Sequence, residues 1–306
     1  MTKRRGFLSF LGRGPSARSE VEAMLELVRA NGAPNINPLW KMAKDIEALK
    51  ADVRSIVYDL ARDMERSLEG RTVADPFYAG LTSKPCTQAD IESDWGLYWA
   101  GRLNQAPRYH RAAWDALFVL QALQEAGLAP GWSILALGQA SPAEAMLTAL
   151  GARVSHVGEG SPGSGDFDAC ISCAAAGHQG SIAAGTAFLV NSVKALRVGG
   201  VAVHTFDFNV ADEDQTLDNW PAVLFRRSDI QAAAAALELR GQAVAPLDFD
   251  LGSQALDRFI DLPPFAAEGS RAQQAQWSDV TQKAHLKASI DGFATTSYGL
   301  IVRRRL

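Results

Sequence analysis

Two of the five histidines, His178 and His204, stand where apolar runs alternate with helical patterns. An imidazole titrates near neutral pH, so either side chain could take a proton from a hydroxyl group. Asp207, just beyond His204, is of the type that orients a histidine base. A second set of reactive atoms lies in Cys170-Ile171-Ser172-Cys173, which has C-x-x-C spacing. It sits in an apolar strand-like run with no second ligand pair nearby, so core thiols are expected and a metal is not. A third candidate is the loop Leu137-Gly138-Gln139-Ala140-Ser141-Pro142-Ala143-Glu144, where an apolar strand gives way to a helix.

These groups need a scaffold, and the hydrophobic pattern supplies one. Strands are predicted over Ser133 to Leu137, Arg153 to Val157, Ala169 to Ser172, Val201 to Thr205, Ala243 to Leu247 and Tyr298 to Arg303. Helices are predicted over Pro142 to Leu150, around Ala184 to Ala195, and over Ser228 to Glu238. Alternating β and α elements imply an α/β, doubly wound and mostly parallel sheet with helices on both faces. In such a sheet ligands bind beyond the C-terminal ends of the strands, at the switch point beside the first strand. The Gly138 loop is therefore the place where a cofactor would sit. Ser141-Pro142-Ala143-Glu144 reads as a capping box with Pro at the first helical position, so Glu144 would satisfy helix amides that an anion would otherwise use.

Upstream, the chain divides into a basic tail (1–18), a helical arm (19–70), a Gly-, Pro- and Thr-rich linker (71–85) and the main domain (86–306). Residues Ser19 to Ala30 form an amphipathic helix candidate. Leu39, Met42, Ile46, Leu49, Val53, Ile56 and Leu60 then alternate spacings of three and four, a short coiled-coil seam. Asp45 and Lys50 fall at g and e positions, so residues 39–60 are the candidate surface for a homo-oligomer or hetero-oligomer. The competing expectation is an ordinary amphipathic helix packed on its own domain. In the tail, Phe7 to Leu11 after Lys3-Arg4-Arg5 is too short for a secretion signal and is read as disordered, with weak contact to a membrane surface as the alternative. The net charge of −4 argues against nucleic acid as a partner. Three cysteines suit a reducing cytoplasm, with peripheral placement at the inner membrane as the variant.

Several of these segments resemble class I S-adenosylmethionine-dependent methyltransferases. Ile134 to Gly138 followed by Gly151-Ala152-Arg153-Val154 is similar to their first motif and second strand, Asp166 to Ser172 to their fourth, and Leu196 to Gly200 to the turn before their fifth strand. A bacterial subgroup associated with surface-glycan genes is resembled more closely. The shared stretches are Trp95 and Trp99, Pro107 to Arg111, His204 to Asn209, Thr216 to Asn219 and Leu224 to Ile230. The resemblance implies a Rossmann-like fold and S-adenosylmethionine bound at Gly138, Ala140, Glu159 and Ser172. It also implies a glycan or small-molecule acceptor near His110, Arg111, Asn209 and Arg226, with His178, His204 and Asp207 as the catalytic set.

Departures from that pattern fall on the cofactor side. Gly-x-Gly has become Gly138-Gln139-Ala140, and a Cβ at the second position crowds the backbone's approach to a ligand. The acidic ribose ligand is replaced by Gly158, and Glu159 would point to the opposite face. Between Val157 and Ala169 the chain is too short for a full βαβ unit, so one unit is expected to be missing. Gly177 stands where the subgroup has an acidic residue. A nicotinamide-dependent dehydrogenase lacks both its glycine fingerprint and its ribose acid here. The expectation is thus a methyltransferase-fold protein with a degenerate site, non-catalytic and serving as a binding or scaffold partner in a glycan pathway. The alternative is an active O-methyltransferase acting on a glycan or small-molecule hydroxyl.

Overall fold

The computed structural model describes residues 37–75, 77–105, 108–138, 141–156, 166–211, 214–219, 223–262 and 285–305. The basic tail, the helix expected from Ser19, and the cofactor candidates Ala140 and Glu159 lie outside the described residues. So does most of the segment between the second and third parallel strands, where the shortened βαβ unit was expected. The chain divides into two compact units, residues 1–53 and 54–306.

Helix α1 (Asn37–Leu68) is continuous through 32 residues. In the first unit Trp40, Met42, Ile46, Leu49 and Val53 are all exposed. In the second unit the same helix buries a different stripe, Tyr58, Ala61 and Leu68 with Val57 and Met64 beside them. Within the expected linker, the described residues 71–75 and 77–82 have no regular structure, but the amides of Ala79 and Leu81 donate to Glu125. Lys84–Pro85 (β1) then pairs with the sheet.

Helices α2 (Gln88–Glu92), α3 (Asp94–Arg102) and α4 (Arg111–Glu125) follow, capped by Thr87, Ser93 and His110 respectively. Helices α3 and α4 supply Trp99 and Trp114, two of the largest buried side chains, and Tyr109 just before α4 is a third. Next come β2 (Ser133–Leu137), α5 (Pro142–Ala149), β3 (Arg153–His156), β4 (Phe167–Cys173), α6 (Ile182–Ser192), β5 (Leu196–Asn209), α7 (Arg227–Glu238), β6 (Ala243–Val244), β7 (Ile260–Asp261), β8 (Lys287–Ile290) and β9 (Phe293–Arg303).

The sheet runs β3-β2-β4-β5-β9-β8-β7, with β1 and β6 also pairing with β9. Strands β3, β2, β4 and β5 are mutually parallel, and β9 is antiparallel to its neighbours β5 and β8. Successive side chains on a strand face opposite sides, so each central strand feeds two cores. Ile134, Ala136, Ala169, Ile171, Val201 and Val203 pack under α3, α4 and α5. Leu135, Leu137, Cys170, Ala202 and Phe206 pack under α6 and α7. This two-faced core is why the strands are almost uniformly apolar, and it makes the domain a doubly wound α/β fold. Strands β7 and β8 and the first half of β9 were absent from the sequence expectation.

Candidate functional site

The strand order reverses at β2, which has β3 on one side and β4 on the other. The C-terminal ends of β2, β4 and β5 therefore define the crevice where this fold class places a ligand.

Gly138, directly after β2, has φ +89°, a left-handed conformation that favours glycine. A Cβ there would stand 2.8 Å from the Cβ of Ala175. The space a glycine leaves open for a ligand is thus filled by the turn after β4. The capping box forms as expected: Ser141 N donates to Glu144 Oε1 at 2.8 Å. The other carboxylate oxygen of Glu144 lies 2.8 Å from Nε2 of His156, at the end of β3. Both oxygens of the acid nearest the helix N-terminus are thereby engaged within the protein.

The predicted catalytic trio does not converge. His204 is fully buried, with Nδ1 2.7 Å from Ser172 Oγ and Nε2 2.8 Å from Ser192 Oγ, and burial pushes it down to about 4. It is a neutral core residue on the α6 face, and Ser172, assigned to the cofactor, is its partner there. Asp207 is three residues further along β5, so strand parity sends it to the other face, away from His204. There its Oδ1 lies 2.6 Å from Nη1 of Arg111. His178 ends the 3₁₀ turn Ala175–His178 and is exposed. The adjacent Gly177 comes close to Asp207, since a Cβ on it would lie 3.9 Å from Asp207 Oδ2.

The expected acceptor residues separate in the same way. Arg111 belongs to the crevice through Asp207 and Thr295, the latter at 3.5 Å. His110 caps α4, its Nδ1 accepting from Ala112 N, and its ring is 4.9 Å from that of His285. Asn209 is buried and fixes a turn, donating to Gln215 O and accepting from Ala211 N. Arg226 closes on Asp229 at the start of α7, its backbone N and side-chain Nε both donating to Asp229 Oδ2. Cys170 and Cys173 face opposite sides of β4, so the C-x-x-C pair does not converge; burial pushes the Cys173 thiol up to about 12. Among the described residues no cluster of His, Cys, Asp and Glu could hold a metal, and no helix is long and apolar enough to cross a membrane.

One acidic residue at the crevice was not anticipated. Asp115 lies on the buried side of α4, only 8% exposed. Burial pushes its carboxyl up to about 7, partly offset by the Ser297 hydroxyl and the Arg111 charge, while Asp207 raises it further. Its Oδ1 and the nearby Thr205 Oγ1 are buried without a hydrogen-bond partner of ordinary geometry. The Thr205 and Ser297 hydroxyls nonetheless lie near enough to act on this carboxyl, each lowering its pKa by hydrogen bonding. The sequence did carry a signal: Asp115 is the lone acid in the otherwise apolar run Trp114 to Leu120.

No protein-family model and no curated protein matches the chain. Solved structures do. A protein from Galdieria sulphuraria described as a sarcosine dimethylglycine methyltransferase aligns at 11% identity over 63% of this chain and 84% of its own, with TM-score 0.38. Magnesium protoporphyrin IX methyltransferase from Synechocystis, solved with bound SAM, aligns at 11% identity over 67% and 89%, with TM-score 0.35. The cyclase SpnF aligns at 14% identity over 82% and 94%, with TM-score 0.39.

Proposed function

We propose that this chain is a methyltransferase-fold protein that has given up methyl transfer and acts as a binding or scaffold partner, with a glycan or related small molecule as its ligand. The observation that carries this reading is Glu144. The helix N-terminus beside the switch point is the natural seat for a cofactor's negative end. Here Glu144 takes that seat, spending one oxygen on the Ser141 amide and the other on His156. Ala175 fills the space beside Gly138. The Glu144 cap and the Ala175 contact at Gly138 do not fit S-adenosylmethionine.

What the crevice offers instead is recognition. The part-buried Arg111–Asp207 ion pair supplies a guanidinium and a carboxylate beside the Asp115 carboxyl. A polyhydroxylated ligand is suited to such a mixture of acceptors and donors. The bacterial surface-glycan setting is supported by the resemblance carried by Trp95 and Trp99, Pro107 to Arg111, His204 to Asn209, Thr216 to Asn219 and Leu224 to Ile230.

A second reading, an active O-methyltransferase, is favoured by one observation. His178 is exposed beside the Gly177–Asp207 approach, where a base for a hydroxyl would belong. Calorimetric titration of the full-length protein with S-adenosylmethionine and its demethylated product tests both. No heat at millimolar ligand is the expected result. Micromolar binding would overturn the non-catalytic reading, and loss of transfer in a His178→Ala variant would then assign the base.

A further inference from the structure

Helix α1 has two apolar faces, and the domain uses only one. From Arg54 onward the stripe Val57, Tyr58, Ala61, Met64 and Leu68 is packed against the domain core. Arg54 on the same side is buried against Asp261 at 2.7 Å. The heptad seam lies on a different stripe: Met42, Ile46, Leu49, Val53, Ile56 and Leu60 are exposed, Leu49 by 63% and Ile56 by 69%. An ordinary amphipathic helix would have buried this seam against its own domain, leaving polar residues outward. Instead, large aliphatic side chains stand in water over three heptads of one helix, and patches of this kind mark interaction surfaces.

We infer that this face is the contact surface for a second copy of the same chain, forming a parallel two-stranded coiled coil over residues 39–60. The middle of the seam, with Ile46 and Val53 at a positions and Leu49 at the d position between them, has the arrangement that favours two strands, whereas Ile56 at d and Leu60 at a do not add to that preference. Charge complementarity selects the partner and direction. In a parallel in-register pair, Asp45 at g of one helix faces Lys50 at e of the other, and the twofold axis repeats the pair, so the sequence complements itself. Lys50 meets Glu47 on its own helix at 3.0 Å, and this exposed contact is of the weak kind that a g–e pair can share or replace.

Sedimentation equilibrium of the full-length protein tests the inference. The expected result is twice the chain mass at micromolar concentration, reduced to the single-chain mass by Ile46→Asp combined with Ile56→Asp. Those side chains are exposed, so the domain's own thermal unfolding should be unchanged. Asp45→Lys and Lys50→Glu should each weaken dimerisation about tenfold, and the double exchange should restore it. Met42→Cys should form an interchain disulfide on mild oxidation, absent from the unsubstituted chain, because only a parallel register brings the two copies of position 42 together. A monomer at tens of micromolar, a dimer that survives the double Asp variant, or a dimer that the Met42→Cys variant fails to cross-link would each overturn the proposal. The first outcome would leave a different protein or a membrane surface as the occupant of the seam.

Discussion

At the scale of single residues, Asp115 is the group whose chemistry the fold alters most. Its folded pKa of about 7 lies above the ordinary aspartate value of 3.8, so the folded state holds a proton that the unfolded state has already released. Its contribution to stability is therefore fully present below about pH 4, declines as pH rises, and is lost through about pH 7. Asp115→Asn should remove that dependence and raise stability above pH 7 by roughly 3 to 4 kcal/mol, read from denaturant midpoints at pH 5 and 8. An unchanged pH dependence in the variant would mean that the carboxyl ionises normally in the fold. Glu144 calls for the opposite sign. Glu144→Ala removes the reciprocal cap of α5 and should cost about 1 kcal/mol at neutral pH, again from denaturant melts. Part of the site's residue-level logic was legible: the capping box at Ser141 followed from the Ser-Pro-Ala-Glu spacing. The placement of the histidines was not, because nearness in sequence does not carry nearness in space along a strand. On a strand, residues 204 and 207 face opposite sides, and that parity separates His204 from Asp207 as surely as distance would.

At the scale of elements, the turn after β2 and the turn after β4 are locked against each other. Gly138→Ala must place a β-carbon at positive φ and against Ala175. The expected loss is about 2 to 4 kcal/mol, measured by chemical denaturation. An Ala175→Gly substitution in that background should return the crowding part of the loss but not the conformational part. The central parallel strands β2, β4 and β5 were readable because they are apolar and mostly buried on both faces, while the exposed edge strand β3 was marked by its place after Gly151. The antiparallel half was not readable. Strand β7 is only two residues long, and β8, with Lys287 and Ser289 in Lys287–Ile290, lacks an apolar run. Its members are held by register on β9 and by bonds such as Lys287 Nζ to Leu251 O at 2.8 Å. Nothing in local composition announces an element whose stability comes from its neighbour.

At the scale of the whole molecule, sequence-distant segments meet at Asp261. Arg54 and Tyr58 of α1 bind its two carboxylate oxygens at 2.7 and 2.6 Å, and His285 approaches at 3.2 Å. Although burial pushes this carboxyl up, the hydrogen bonds from His285 and Tyr58 and the charge of Arg54 hold it below its usual range. Arg54→Ala leaves Asp261 buried without its counter-charge and should cost about 3 to 5 kcal/mol. The pair Arg54→Ala with Asp261→Ala should cost clearly less than the two single changes added together, which a double-mutant cycle by denaturation would measure. Additive losses would instead mean that the two groups contribute independently. Strand β9 joins even more of the chain: β5, β8, β1 and β6 all pair with it. During synthesis β5 leaves the ribosome long before β9, so for that interval a long apolar edge waits for its cover. The nascent chain is consequently exposed to edge-to-edge aggregation until β9 arrives, and chaperone dependence in the cell is the biological form that this one late strand would take.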